Sequence, residues 1–268
     1  MKIIDSHINF WDINNGLNDW VRETNLPKKV LPDDIIEVDT FVHVEAHNEK
    51  FNNLCEYNWL KETYPQKNIK VVAFIDFTKD IKIFENDVIK LSNTKDIVGV
   101  RQIMSKTDKL SYSPFQKNIP YDLNEKLKIL GQTNLVVDLQ MYPDQLLPIL
   151  HLIEESNAKV LLEHFGLPIF ENNDSINDWK KMLHEINYLN KFSIKLSGLD
   201  ILNRVNSFNK IIDIVLEKVD ENRLVYGSNY PVSNHNDYHY WYNFLKKALP
   251  SKYMNKIFYQ NAKKMYAI

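Results

Sequence analysis

The sequence predicts a single-domain (β/α)8 barrel, an α/β fold in which eight parallel strands alternate with helices. Eight short apolar or alternating segments are separated by segments with helical periodicity, and this alternation is typical of a parallel sheet. The length of 268 residues suits one such barrel. The alternative, a doubly wound open sheet, requires a glycine-rich turn after the first strand. None is present, and without linkers or repeats we expect one domain over residues 1–268.

The first predicted strand lies in the stretch 3–12, IIDSHINFWD. Because side chains alternate along a strand, Asp5, His7 and Asn9 are expected on one face. A strand face with these three residues suggests the floor of a site. The other seven strands are predicted at 41–46, 69–77, 97–104, 135–140, 160–164, 192–197 and 223–227.

Helical periodicity separates these strands. Pro65 ends the first predicted helix, and Gly131 ends the third. Two irregular stretches, 11–30 and 105–120, are expected to form long loops over the same end of the protein. The helices are predicted at 52–64, 83–91, 122–130, 142–156, 176–189, 208–219, 238–248 and 252–266.

Composition excludes several classes of function. A formal charge of −2 provides no basic surface for nucleic acid and no polybasic membrane patch. The single Cys55 excludes an internal disulfide framework and suits a reducing compartment. No signal-peptide pattern and no apolar run of about 18 residues occur, so we expect a cytoplasmic protein with a small-molecule substrate. The oligomeric state, including a homo-oligomer, stays open.

Polar residues concentrate where the predicted strands end, whereas the strand starts are mostly apolar. Barrel enzymes carry their active sites at the carboxyl ends of the strands. This concentration therefore favours an enzyme or a small-molecule site. The strand-end residues include His7, Asn9, Glu45, His47, Arg101, Asp138, His164, Lys195 and Asn229.

Seven motifs appear in order across nearly the whole chain: IDSHINFWD, VHVEA, GVRQI, VVDLQMYP, LEHFGLP, IKLSGL and YGSNYPVS. Together they resemble the amidohydrolase-related family of the amidohydrolase superfamily, in its sugar and dicarboxylate lactonase branch. The resemblance implies a (β/α)8 barrel and a hydrolase. The motifs are specific for the family and much less specific for the substrate.

The resemblance also implies site residues. Such proteins carry His-x-His after the first strand, a His after the sixth and an Asp after the eighth, and either bind a divalent metal or use the Asp to activate water. His7 and His164 match two of these groups, whereas Asn9 and Asn229 replace the other two. Asn cannot take a proton near neutral pH. Since a zinc site usually has at least three strong ligands, we expect no tight zinc site, with Glu45 as the conceivable third ligand.

A hydrolase would then need another general base. Glu45 is the first candidate, and its alternative role is a structural carboxylate paired with Lys or Arg. Asp138 is the second, and it could instead orient His164 or Lys195. His164 could itself act as base, since a histidine titrates near neutral pH, or be a hydrogen-bonded barrel residue.

Basic and aromatic residues suggest what is bound. Arg101 and Lys195 could hold a substrate carboxylate, and for Arg101 the alternative is a salt bridge to a neighbouring strand. Asn9 is a further candidate substrate-binding residue. His235, Tyr238 and His239 are interpreted as a helix start in preference to a metal site. The aromatic residues that could wall the pocket, or only pack the loops, are Phe10, Trp11, Trp20, Tyr112 and Tyr142.

Three hypotheses follow. The first is a metal-independent hydrolase of a lactone or similar ester of a small sugar-derived or carboxylated compound, with His7 and His164 as electrophilic groups. The second is a metal-dependent amidohydrolase or decarboxylase that binds a divalent ion through His7, His164 and one carboxylate. The third is a non-catalytic small-molecule-binding barrel.

Overall fold

The structure is a computed structural model. The predictions for His47, Tyr112, His235 and most of the loop at 105–120 lie outside the residues that it describes. Those residues are 1–35, 37–46, 51–106, 119–169, 173–200, 208–233 and 237–268.

Eight strands form one sheet whose order follows the chain, and each hydrogen-bonded neighbour is parallel. The first and eighth strands approach through a bridge between Ile8 and Tyr230. The N–H of Asn9 donates to the Tyr230 carbonyl at 2.9 Å. The predicted (β/α)8 barrel is therefore confirmed. Its strands are β1 (Ile4–Ile8), β2 (Thr40–Val44), β3 (Ile69–Phe74), β4 (Ile97–Ile103), β5 (Val136–Gln140), β6 (Lys159–Leu162), β7 (Phe192–Leu196) and β8 (Leu224–Tyr226).

Helices follow the strands from β2 onward. No helix in the described part of the chain is long and apolar enough to cross a membrane. The α-helices are α1 (Cys55–Thr63), α2 (Ile81–Ser92), α3 (Leu123–Gly131), α4 (Pro143–Leu146), α5 (Leu150–Ser156), α6 (Asn173–Glu185), α7 (Phe208–Lys218), α8 (His239–Ala248) and α9 (Asn261–Tyr266).

The segment between β1 and β2 is more ordered than the predicted loop. Trp11–Asp12 pairs antiparallel with Lys29–Val30, and two short 3-10 helices, Ile13–Asn15 and Asp19–Glu23, lie between them. The first strand ends at Ile8, inside the stretch 3–12 where it was predicted. The expectation that 11–30 is irregular throughout is corrected by this strand pair and the two 3-10 helices.

Two predicted helices are interrupted. The helix predicted at 142–156 changes to a 3-10 turn at Leu147–Ile149, where Pro148 has no N–H to continue the α-helical pattern. The helix predicted at 252–266 consists of a 3-10 turn at Ser251–Tyr253, a π-helix at Lys256–Gln260 and then α9. Neither interruption changes the barrel.

A buried apolar cluster fills the barrel beneath the strand ends. Ile4, Val136 and Val225 come from different strands, and they pack with Tyr266 of α9. The β1–β2 register shifts between Asp5 and Ile8. Ile4 belongs to this cluster, whereas the Asp5 carboxylate accepts from the Ser228 N–H and the Tyr238 hydroxyl. The expectation that Asp5 and His7 share a site face is therefore wrong, because the shift breaks the alternation.

Candidate active site at the carboxyl end of the barrel

A cavity of about 380 Å³ lies at the carboxyl ends of the strands. Its floor is polar, and most of its wall is apolar. Glu45, Asp138 and Lys195 do not line it. The predicted site residues that do are His7, Asn9, Trp11, Arg101, His164 and Asn229. The other lining residues in the described part of the chain are Trp20, Leu26, Ala46, Ile103, Ser105, Gln140, Tyr142, Leu167, Gly198 and Val232.

The two predicted histidines meet at the floor. His7 lies one residue before the end of β1, and His164 follows β6. Their ring centroids are 4.9 Å apart. Nδ1 of His164 lies 3.0 Å from the Ser197 hydroxyl oxygen. Both imidazoles are buried, so the barrel holds them in a defined relation.

Glu163 lies between the histidines and Arg101, and our reading of the sequence did not identify it. Its Oε1 is 3.2 Å from Nδ1 of His7, and its Oε2 is 3.1 Å from Nη1 of Arg101. Strand alternation would place Glu163 and His164 on opposite faces. However, β6 ends at Leu162, and His164 has a φ of +53°, so the chain turns and both side chains reach the site. Its position directly before His164 was the available signal.

Burial favours the neutral form of both histidines. Burial raises the pKa of Glu163, but Arg101, His7 and Lys195 outweigh it and leave that pKa well below its usual range. Burial lowers the pKa of His7 well below its usual value and that of His164 to about 4, only partly opposed by Glu163. Because both pKa values are lowered, His7 and His164 are each weaker general bases than an ordinary histidine.

Arg101 is already paired. Its Nε donates to Oε1 of Glu45 at 2.8 Å, and its Nη2 donates to the Glu45 carbonyl. Burial lowers the pKa of Arg101, but the carboxylates of Glu163 and Glu45 raise it by more than burial lowers it. The net pKa is raised, so the guanidinium stays charged. Glu45 thus forms the ion pair that was the alternative to a general base.

Lys195 and Asp138 form a buried ion pair beneath the floor. Nζ of Lys195 also lies 3.5 Å from Nδ1 of His7 and 3.8 Å from Oε1 of Glu163. The Tyr266 hydroxyl donates to Oδ1 of Asp138 at 3.0 Å. Burial raises the pKa of Asp138 and Lys195 opposes this. Asp138 therefore pairs with Lys195, which was one of the two structural roles considered for it, and it does not line the cavity.

Asn9 and Asn229 occupy the positions where the resemblance implies His and Asp. Asn229 has a φ of +53°, and its N–H donates to the His7 carbonyl at 2.7 Å. Its Nδ2 donates to the Ser233 hydroxyl at 3.0 Å. Both side chains line the cavity, so the floor presents two neutral amides.

Among the residues that the structure describes, one group of side chains could hold a metal ion. His7, Glu163 and His164 each offer a ligand atom, and these atoms lie within 4.8 Å of one another. Two neutral imidazoles and one carboxylate form a common catalytic zinc set, so the donor types fit a divalent cation. The carboxylate in this group is Glu163, whereas the sequence suggested Glu45 as the conceivable third metal ligand. Arg101 and Lys195 contact the same carboxylate and would compete with the ion.

Tyr238 and His239 lie at the start of a helix, as expected from the sequence. His239 is the first residue of α8, and the preceding Tyr238 donates its hydroxyl to Asp5. Among the pocket aromatics, Trp11, Trp20 and Tyr142 line the cavity, whereas Phe10 is buried outside its lining.

The family model described as Amidohydrolase matches residues 4–268. No curated protein matches the chain. An amidohydrolase from Burkholderia multivorans with bound zinc has 19% identity, full coverage of both chains and a TM-score of 0.77. A probable 2-pyrone-4,6-dicarboxylic acid hydrolase from Acinetobacter baumannii with citric acid bound has 20% identity, full coverage of both chains and a TM-score of 0.76.

A 2,6-dihydroxybenzoate decarboxylase from Rhizobium is similar at 12% identity and a TM-score of 0.67, with 100% of this chain and 99% of that chain covered. At these identities the solved structures support the fold alone. The family model extends over nearly the whole chain, and the motifs at the strand ends agree with it. The chain belongs to the amidohydrolase family.

Proposed function

We propose that this protein is a metal-independent hydrolase of a lactone or similar ester of a small sugar-derived or carboxylated compound. The observation that carries the proposal is the pair of buried imidazoles, with ring centroids 4.9 Å apart, at the floor of a cavity of about 380 Å³. Cavities of roughly 300–1,000 Å³ accommodate small molecules.

The base in this proposal is His7, oriented by Glu163. A carboxylate can only accept, so Nδ1 of His7 carries its proton toward Glu163, and Nε2 keeps its lone pair. A carboxylate that fixes the tautomer of a histidine is a recurring arrangement in hydrolases. His7 thereby takes the role that Asn229 cannot fill.

The electrophilic group is His164. Ser197 can donate its hydroxyl proton to Nδ1, which places the ring proton on Nε2 for a substrate carbonyl. The water oxygen bonds to the carbonyl carbon as its proton passes to His7, the acyl C–O bond breaks, and the leaving alkoxide takes that proton. The products are an acid and an alcohol, joined in one molecule when the substrate is a lactone.

The test is kcat/KM on a panel of lactones, with variants of both histidines. We expect His7→Gln and His164→Gln to lower it by about 100-fold or more, and His184→Gln, an exposed histidine of α6, to leave it unchanged. If wild type and His164→Gln hydrolyse every lactone equally slowly, the hydrolase proposal is wrong. Binding without turnover would then favour the non-catalytic barrel.

The second candidate is a metal-dependent hydrolase or decarboxylase, which the His7, Glu163 and His164 group favours. A divalent ion bound there would polarise a substrate carbonyl as a Lewis acid. The contacts of Arg101 and Lys195 with Glu163 favour the metal-independent form, because an ion would have to compete with both cations. Elemental analysis after purification without added ions decides. One equivalent of zinc or manganese, with hydrolysis lost on chelation, would support the second candidate.

A further inference from the structure

Asn9 brings an unused carboxamide to the floor of the cavity. Its backbone N–H donates to the Tyr230 carbonyl at 2.9 Å, and the residue is only 3% exposed. Neither the oxygen nor the nitrogen of its side-chain amide has a hydrogen-bond partner among the residues that the structure describes. Because a buried polar group without a partner costs free energy, this amide suits a partner supplied by whatever occupies the cavity.

The carboxamide of Asn229 is only partly used. Its Nδ2 donates to the Ser233 hydroxyl at 3.0 Å, and the residue is buried. Its Oδ1 has no hydrogen-bond partner within the described ranges. Since the oxygen of an Asn side chain can accept two hydrogen bonds, Asn229 keeps its acceptor capacity for the cavity that it lines.

The two amides are neighbours where β1 and β8 close the barrel. The Asn229 N–H donates to the His7 carbonyl at 2.7 Å, and Ile8 forms a bridge with Tyr230. Asn9 and Asn229 therefore lie on adjacent chain segments, and His7 belongs to one of them. A substrate group held by these amides would lie close to the carbonyl carbon that is attacked beside His7.

A hydroxyl is the substrate group that matches this pair. It can accept from the amide N–H of Asn9 and at the same time donate to Oδ1 of Asn229. A carboxylate can only accept and would be repelled by that oxygen, and a methylene would leave both amides unpaired. For this reason a site built for a hydroxyl rejects an analogue that lacks it.

We propose that Asn9 and Asn229 bind a hydroxyl on the carbon next to the substrate carbonyl, so that the substrate is an α-hydroxy lactone or ester. This inference rests on the proposed hydrolysis and specifies the sugar-derived part of its substrate class. A carboxylate elsewhere on the substrate is compatible with it. Asn9 takes no part in the proton transfers assigned to His7, so it is a specificity-determining residue.

The test compares four lactones with the same ring: γ-butyrolactone and its α-fluoro, α-hydroxy and β-hydroxy derivatives. Fluorine activates the carbonyl by induction but cannot donate a hydrogen bond, so the α-fluoro lactone controls for reactivity. We expect kcat/KM for the α-hydroxy lactone to exceed that of each of the others by about tenfold or more. Equal or faster hydrolysis of the α-fluoro or β-hydroxy lactone would overturn this proposal and leave the hydrolase proposal intact.

A variant of Asn9 locates the effect. Asn9→Leu keeps the volume and removes the amide, so it should abolish the preference for the α-hydroxy over the α-fluoro lactone. Tyr142→Phe is the matched control, because Tyr142 also lines the cavity but follows β5, on the opposite side of the barrel from β1. The preference should survive in Tyr142→Phe. An unchanged preference in Asn9→Leu would contradict the role of Asn9.

Urea unfolding separates substrate binding by Asn9 from a structural role. Asn261 is the comparison, since it is a buried Asn whose Nδ2 donates to the Glu221 and Leu224 carbonyls. Asn261→Leu should lower the urea midpoint, whereas Asn9→Leu loses no side-chain hydrogen bond to the described residues and should not lower it. An equal fall in both variants would show that Asn9 supports the fold.

A wild type that hydrolyses none of the four lactones would contradict the hydrolase proposal. Calorimetric titration with the α-hydroxy and α-fluoro lactones then tests the hydroxyl site by itself. Tighter binding of the α-hydroxy lactone, lost in Asn9→Leu, would support the site formed by Asn9 and Asn229. Equal binding of the two lactones, or binding of neither, would overturn it.

Discussion

Gly198 allows His164 to occupy its place in the site. It follows β7 with a φ of +64°, and a Cβ built on it would lie 2.4 Å from Nδ1 of His164. No side chain fits at that distance, so the absence of a Cβ is what permits the imidazole to reach Ser197.

Gly198→Ala should therefore impair the site more than the fold. We expect kcat/KM to fall by about 100-fold as His164 leaves Ser197, and the free energy of unfolding to fall by about 1–3 kcal/mol from the left-handed backbone. The control is Gly16→Ala, since Gly16 has a φ of +75° but nothing within 4 Å of its Cβ position. Equal kinetics in the two variants would show that the contact with His164 is unimportant.

Asn229→Asp should increase hydrolysis. The new carboxylate would face the cavity next to the Ser233 hydroxyl, which can donate to it. Because it can accept a proton from water, we expect kcat/KM to rise by roughly tenfold or more. Asn229→Ala controls for loss of the amide. No gain with any lactone would indicate that the pocket serves another chemistry.

His7, Arg101 and His164 could be predicted as site residues from their positions at strand ends, because a closed barrel brings the carboxyl ends of its strands together. Glu163 could not be predicted in this way. With His164 assigned to the site, strand alternation places Glu163 on the opposite face. Both side chains reach the site because His164 has a positive φ, which no local pattern in LEHFG predicts.

Among the elements, the segment between β1 and β2 matters most for the site because it carries Trp11 and Trp20. It is joined to α1 through Glu56, which accepts from Nδ2 of Asn18 at 2.8 Å. The same carboxylate accepts from the Ala46 N–H and lies 3.2 Å from Nε2 of His43. Glu56 thus connects this segment with the end of β2.

Glu56→Gln should destabilise the protein by about 1–3 kcal/mol at pH 7. The new side-chain amide would point an N–H at groups that, in the wild type, donate hydrogen bonds to the carboxylate. Burial raises the pKa of Glu56, but hydrogen bonds from His43, Asn18 and Ala46 outweigh it and leave the pKa lowered from 4.5. A lowered carboxyl pKa stabilises the fold above the unfolded pKa, and that stability is lost as the pH falls through the folded value.

The measurement is urea unfolding of wild type and Glu56→Gln from pH 7 downward. The difference between them should be full at pH 7 and shrink below about pH 4.5. Glu62→Gln, an exposed glutamate on the same helix, should show little difference at any pH. A difference that does not depend on pH would exclude the charge of Glu56 as its source.

Periodicity predicted which elements exist, whereas their ends depend on distant partners. Trp11 begins the stretch 11–30 that was expected to be irregular, but it pairs with Val30 at the other end of that stretch. By contrast, the break at Leu147–Ile149 has a local cause in Pro148. That break was predictable, and the hairpin was not.

In the whole molecule, a series of buried polar contacts connects the site with α9. Tyr266 of α9 donates to Asp138 on β5, Asp138 pairs with Lys195 on β7, and Lys195 reaches His7 and Glu163. The barrel was predictable from the order of its elements. Which strand-end groups pair across its interior was not, since those contacts depend on residues far apart in sequence.

This chain of contacts makes a prediction for the stability of the whole barrel. Asp138 and Lys195 are completely buried, so removing one leaves the other as a buried charge without its closest partner. Lys195→Met should lower the free energy of unfolding by about 3–5 kcal/mol. Asp138→Leu should cost somewhat less, because Glu163 lies 3.8 Å from Nζ and remains as a second partner.

Urea unfolding of the wild type, both single variants and the double variant provides a double-mutant cycle for the Asp138–Lys195 pair. The double variant carries no unpaired charge from this pair, so it should be more stable than the sum of the single losses implies, with a coupling of about 1–3 kcal/mol. Lys191→Met, at an exposed lysine just before β7, should change stability by no more than about 0.5 kcal/mol. Strictly additive losses would mean that the two charges do not stabilise each other. The connection from α9 to the histidines would then have to rest on packing alone.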